Sequence, residues 1–313
     1  MHNLTSMPAF LLLGFSDIRE LQLLHFFMFL VLYLMAIIGN LLIVIVIVLD
    51  HHLHTPMYFF LMNLAIMDLG TVTVMVPKSM AISLYNNRLI SYFGCVAQVF
   101  FLHFFGISDF ALLTIMAHDR YVAICRPLQY ETIMHKGACM RMVAIGWITG
   151  FLAAMLHTGS TFGNTFCANS VHQFFCEISK LLKISCSDFY LVEVRVLVIA
   201  FIISVGCFIF IIITYMQIFS TVLRIPSSDG QKKALSTCIP HLTVVSLLMF
   251  TGAFAYVRPP TDSSSDLDIV FAVIYTIIPP TLNPFIYSMR NKEIKTALWK
   301  LFYKNGVVYC SIC

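Results

Sequence analysis

Charge is what this sequence has least of: Asp, Glu, Lys and Arg make up 11% of its 313 residues, while 59% are hydrophobic. A soluble domain carries roughly a quarter charged residues, so a water-soluble globular fold is excluded and a membrane protein is expected. The net charge of +4 is too weak to point to nucleic acid. Enzyme signatures are missing as well. No glycine-rich phosphate loop follows a strand and no helix carries the paired histidines of a metalloprotease, which leaves an enzyme reading without support. Nor does one half of the chain resemble the other, as transporters built from repeats require. Residues 1–22 have no charged leader followed by an apolar run and a small-residue cleavage site, so the first apolar run is expected to serve as the anchor.

What the chain has instead is long apolar runs, at 23–49, 57–82, 95–117, 140–162, 196–223, 235–257 and 269–289. Each is near or above the ~20 residues that cross ~30 Å of hydrocarbon as a helix. The expectation is an all-α membrane protein, a seven-transmembrane helix bundle over 23–289, with an outer segment at 1–22 and an inner tail at 290–313. With the amino terminus outside, twelve Lys and Arg fall on the inner side and seven on the outer, as the positive-inside rule asks. The first inner loop adds none. Asn3-Leu4-Thr5 is a glycosylation acceptor, usable only on the outer side. From Lys292 to Tyr303 the basic and aromatic residues alternate at amphipathic spacing, which predicts a short helix on the inner leaflet.

Within the runs stand a few polar side chains. Asp68 and Asp109 lie at membrane depth, where an acid costs ~2.5 to 3.5 kcal/mol to insert, and Asn40 and Asn283 need partners in other helices. Together they form an expected polar core, either functional or a set of protonated, hydrogen-bonded acids. An ion- or proton-coupled transporter using Asp68 and Asp109 is the rival function. Three histidines, His51, His52 and His54, read as a solvated loop rather than a metal site. Cys95, Cys167, Cys176 and Cys186 fall on the oxidising side, and four cysteines allow three pairings. Asp119 and Arg120 close the third run, where charges snorkel even without a function.

Four stretches resemble one family. Met116 to Cys125 (MAHDRYVAIC), Leu53 to Leu61 (LHTPMYFFL), Lys233 to His241 (KALSTCIPH) and Pro280 to Asn291 (PTLNPFIYSMRN) occur in the order and on the sides found in odorant receptors, a branch of the rhodopsin-like G-protein-coupled receptors. The resemblance runs from about residue 4 to residue 304. It implies a multi-pass plasma-membrane receptor that binds small, volatile, mostly apolar odorants and activates the olfactory stimulatory G protein, raising cyclic AMP. It also implies pairing of Cys95 with Cys176 and of Cys167 with Cys186. No cofactor is implied beyond a sodium ion at Asp68 and Asp109. Coupling and switching fall by likeness to Asp119, Arg120, Tyr121, Leu128, Tyr215, Asn283, Pro284 and Tyr287, with Arg120 leaving Asp119 for Tyr215 on activation. The odorant pocket is expected between the third, fifth, sixth and seventh spans, at Leu102, His103, Gly106, Ile107, Phe110, Tyr256 and Thr276. Two departures stand out. Thr214 precedes Tyr215 where serine is usual, and Leu248-Met249 replaces Phe-Tyr, so no aromatic toggle is carried over to Met249.

Overall fold

The computed structural model describes residues 9–16, 18–187, 190–224, 227–257 and 266–310. Helices dominate: α1 (Arg19–Leu49), α2 (Pro56–Tyr85), α3 (Tyr92–Cys125), the short α4 (Tyr130–Ile133), α5 (Lys136–Phe162), the short α6 (Ile178–Lys183), α7 (Tyr190–Val222), α8 (Ser228–Val257), α9 (Asp266–Thr276), α10 (Ile278–Arg290) and α11 (Lys292–Cys310). Six are long and apolar enough to cross a membrane, and the bent pair α9–α10 makes the seventh span. The helices start earlier than the apolar runs because polar ends continue the backbone ladder past the hydrocarbon. Thus α1 begins at Arg19 rather than at residue 23, and α3 continues through Arg120 to Cys125.

Local chemistry sets several ends. Ser91 caps α3 by accepting from the Gly94 amide, which satisfies one of the free N–H groups of the first turn. Asn86 ends α2 in the left-handed region, at φ 52°, a conformation its short polar side chain tolerates. Asn291 opens α11, its side-chain oxygen accepting from the amides of Glu293 and Ile294. His51–Leu53 form a 3-10 turn. There the His52 amide and ring bond Asp50 and hold its carboxyl below the usual range.

The seventh span breaks where Pro279 and Pro280 follow Ile277, with a 44° bend. Proline lacks an amide donor and crowds the preceding turn. Pro284 lies inside α10. It packs so close to α1 that a Cβ on Gly39 would sit 2.9 Å from its ring. Glycine at 39 is therefore what lets these two helices touch.

The outer end is more ordered than a loop. Residues Ala9–Leu12 form strand β1, pairing antiparallel with β2 (Leu89–Ser91) and parallel with β3 (Ser170–Val171). Phe10 and Leu12 are buried beneath this sheet, Phe10 stacked on Tyr92 and edge-on to Phe166. A segment expected to be a plain outer tail thus folds down as a lid. Asn3 lies outside the described residues.

Candidate functional site

Helix α3 is the axis of the bundle, packed against α2, α5, α7 and α8. Two cavities lie along it. The outer one, of about 200 Å³, is bounded on α3 by Leu102, His103, Gly106 and Ile107, and deeper by Asp109 and Leu113. Gly106 has open space in front of it, with nothing within 4 Å of the position a Cβ would take. Thr276 lines the cavity too, although its hydroxyl donates back to the Ala272 carbonyl at 2.6 Å.

Two expectations are corrected here. Phe110 does not line the cavity, because going inward the space swings to the Asp109 and Leu113 side of α3 and toward α2 and α10. Helical residues one apart point about 100° from each other, so Phe110 is left behind by that turn. The fifth span contributes no lining residue among those described. The second does, through Leu64, Asp68 and Thr71. Tyr256 belongs to α8, but its side chain lies outside the described residues.

The cavity floor is polar. Asn283 donates to both carboxylate oxygens of Asp68, at 2.9 and 3.2 Å. Asn40 donates to the carbonyls of Ala36 and Pro280, at 2.9 and 3.0 Å. The second of these bonds uses a carbonyl at the break in the seventh span. Asp109 Oδ1 and Asn283 Oδ1 are buried with no hydrogen-bond partner. Buried acceptors left over beside two acids suit a small hard cation, which takes oxygen ligands. Among the described residues no group of three His, Cys, Asp or Glu gathers as a metal site, so a transition-metal centre finds no such support.

The inner cavity, of about 940 Å³, is bounded by Asp119, Arg120, Tyr130, Tyr287 and the charged Lys232 and Glu293. Arg120 is ion-paired with the buried Asp119, its Nε at 3.0 Å. Tyr130, from the loop after α3, donates to the other Asp119 oxygen at 2.8 Å. Burial, then the Asp119 charge and hydrogen bond, push the Tyr130 hydroxyl above its ordinary range, so it remains a donor. Tyr215 does not meet Arg120 in this state. Its hydroxyl is 2.8 Å from His241 Nδ1, and His241 Nε2 is 2.9 Å from the Leu113 carbonyl. A carbonyl only accepts, so Nε2 carries the proton and Nδ1 accepts from Tyr215. Arg126 lies over the Tyr121 ring at 5.6 Å. Leu128 is 99% exposed, an apolar side chain presented to the inner side. Tyr287 is buried with its hydroxyl unpartnered.

The disulfides are Cys95–Cys176 and Cys167–Cys186, with Cα atoms 5.5 and 5.8 Å apart. The first ties the outer loop to the start of α3. Next to it, Phe174 and Phe175 are wholly buried over the outer cavity's roof, packed with Met75 and Leu102.

Several functional positions escaped the sequence reading. His241 stood at the end of a motif but had no partner assigned. Tyr58, whose hydroxyl donates to Glu293 at 2.6 Å and accepts from Asn291 at 2.9 Å, ties α2 to the start of α11. His157, Ser160 and Glu193 form a wholly buried cluster between α5 and α7. Glu193 carried no signal in the sequence, and only its proximity to His157 in three dimensions reveals the cluster.

Comparison with known proteins gives a consistent result. A family profile for the olfactory receptor matches residues 29–305. The chain is 50% identical over 302 residues to olfactory receptor 14A16 of Homo sapiens, covering 96% of this chain and 97% of that one. It is 51% identical over 305 residues to olfactory receptor 14I1 of Homo sapiens, covering 97% and 98%. The crystal structure of squid rhodopsin superposes with a TM-score of 0.72 at 16% identity, covering 92% of this chain and 82% of that one. At that identity the likeness is one of fold.

Proposed function

Since the chain belongs to the olfactory receptor family, and is therefore a multi-pass plasma-membrane signalling receptor and not an enzyme, we propose that it binds small, mostly apolar odorants in the outer cavity and activates a stimulatory G protein, raising cyclic AMP. The observation that carries this reading is that one helix serves both ends. Asp109 faces the outer cavity and Arg120 the inner one, about 16 Å apart at 1.5 Å per residue. A ligand that shifts α3 by a fraction of a turn at its outer half displaces Arg120 against Asp119 and Tyr130. Packed helices transmit such shifts because they are bistable rather than soft.

In the quiescent state the Arg120 guanidinium is neutralised by Asp119, and Tyr215 is held by His241. Activation exchanges partners, with Arg120 turning from Asp119 toward Tyr215 while the inner cavity receives the G protein. Exposed Leu128 supplies an apolar contact on the same surface. Asp68 and Asp109 are the residues that would hold a sodium ion, which supplies positive charge between two buried acids and favours the quiescent packing. Asn283 keeps the Asp68 carboxylate oriented toward that site.

The test is a screen of small odorants on cells expressing the chain, read as cyclic AMP at measured surface level. The expected result is an odorant-evoked rise that survives collapse of ion gradients and is lost in Arg120→Ala with ligand-induced thermal stabilisation kept. Undiminished cyclic AMP from Arg120→Ala would refute the switch. Dependence of the signal on an ion gradient would favour transport by Asp68 and Asp109 instead.

A further inference from the structure

Glu193 is a carboxyl with no exposed surface, in the first turn of α7. Both of its oxygens are satisfied. The His157 ring nitrogen Nδ1 lies 2.7 Å from Oε1, and the Ser160 hydroxyl bonds Oε2. His157 Nδ1, facing a carboxyl oxygen, is the nitrogen that carries a proton, so this carboxyl is engaged by His157. The helix ends agree. Glu193 sits at the positive, amino-terminal end of α7, and His157 near the negative, carboxy-terminal end of α5 (Lys136–Phe162), where a carboxyl and an imidazole respectively are favoured. The one buried carboxyl here is thus engaged by one histidine.

His103 stands next to that histidine, ring centroids 4.9 Å apart. Its Nδ1 is 2.8 Å from the Val99 carbonyl, and since a carbonyl only accepts, Nδ1 carries the proton. An imidazolium at His103 would be buried with no hydrogen-bonded carboxylate to match it. His103 therefore stays neutral, with Nε2 as a bare acceptor. His103 lines the outer cavity, and no hydrogen bond engages Nε2 among the described residues. Of the other polar side chains on that wall, the hydroxyls of Thr71 and Thr276 donate to their own helices, and the acceptors of Asp109 and Asn283 lie deeper, at the floor.

We propose that His103 Nε2 is the polar determinant of ligand choice, so that the receptor prefers odorants bearing one hydrogen-bond donor, such as alcohols and phenols, over ethers and ketones of the same shape. In this arrangement Glu193, His157 and Ser160 are positioning residues, anchoring the His157 ring against His103 and so the direction of the His103 acceptor. The inference rests on the outer cavity being the odorant site. Each good neutral hydrogen bond stabilises by about 1 kcal/mol, and burying an unpaired donor or acceptor costs more, so the preference is about tenfold in potency.

The probes are matched pairs of small alcohols or phenols and their O-methyl ethers, tested on the purified full-length receptor by thermal stabilisation and in cells by cyclic AMP. Expected is an alcohol-to-ether potency ratio of about ten in the wild type, falling toward one in His103→Phe, which keeps a ring and removes the acceptor. Glu193→Gln and His157→Phe should lower the ratio in the same direction, a change that a purely structural role would not produce because it moves expression and not the ratio. Stabilisation without cyclic AMP would sink the signalling proposal and leave this one standing. Equal stabilisation by both members, no stabilisation by any alcohol, or a tenfold ratio kept in His103→Phe would overturn it. A ligand-free check uses ¹⁵N-histidine spectra. The resonance lost in His103→Phe must be that of a neutral ring protonated at Nδ1, and an imidazolium or the opposite tautomer there refutes the assignment.

Discussion

Filling the outer cavity from Gly106 should silence the receptor in a graded way. The cavity measures about 200 Å³, room for about seven groups at the roughly 30 Å³ that a water claims. At roughly 0.5 kcal/mol per heavy atom, such a ligand binds with about 3.5 kcal/mol, an affinity in the low millimolar range. A leucine at 106 adds four carbons, about 120 Å³ on the same scale, and leaves room for two or three ligand atoms. About 2 kcal/mol of binding is lost, a roughly thirtyfold fall in potency. Alanine at the same place adds one carbon where nothing lies within 4 Å, so Gly106→Ala should cost about twofold. The assay is a cyclic AMP dose response to any agonist found in the screen, with wild type, Gly106→Ala and Gly106→Leu compared at equal surface level. Unchanged potency and maximum in Gly106→Leu would show that the ligand sits elsewhere.

Tyr130→Phe removes one of the hydrogen bonds to buried Asp119; about 1.4 kcal/mol lost from the quiescent state raises the active fraction about tenfold, visible as basal cyclic AMP, and no rise would deny Tyr130 a restraining role. Cys176→Ser opens a crosslink spanning 81 residues, worth about 4.5 kcal/mol by chain entropy; surface expression should collapse, whereas Cys207→Ser, a free thiol, should express normally. Gly150→Ala would put a Cβ 3.0 Å from the Phe104 carbonyl and against Ser108, forcing α3 and α5 apart at about 1 to 3 kcal/mol; the melting temperature of the purified protein should fall, while Gly159→Ala, with open space before it, should leave it unchanged. Equal melting of the two glycine variants would contradict the close packing of α3 on α5.

What could be read without coordinates followed from how each signal is encoded. A membrane helix is a local property of some twenty residues, so the spans were legible from hydropathy, and only their polar ends were misplaced. The Asp119–Arg120 pair was legible because both partners are neighbours in sequence. Tyr130 was not, since its reach back to Asp119 depends on the turn made by Pro127–Gln129. The pocket was half legible. Spacing on α3 selected Leu102, His103, Gly106 and Ile107, but which neighbours face them is a matter of helix packing, and there α2 took the place assigned to the fifth span. The break in the seventh span was not placed in advance; two adjacent prolines, Pro279 and Pro280, remove two donors from one turn and bend it there. The β1 strand was invisible because its partners lie 80 and 160 residues or so away, with no alternation long enough to reveal a sheet of two to four residues per strand. Glu193 and His157 show the same limit most sharply. Each is an unremarked polar residue near a helix end, and their meaning lies in the antiparallel placement of α5 and α7, which brings the end of one helix beside the start of the other and sets a hydrogen-bonded pair against the histidine that faces the cavity.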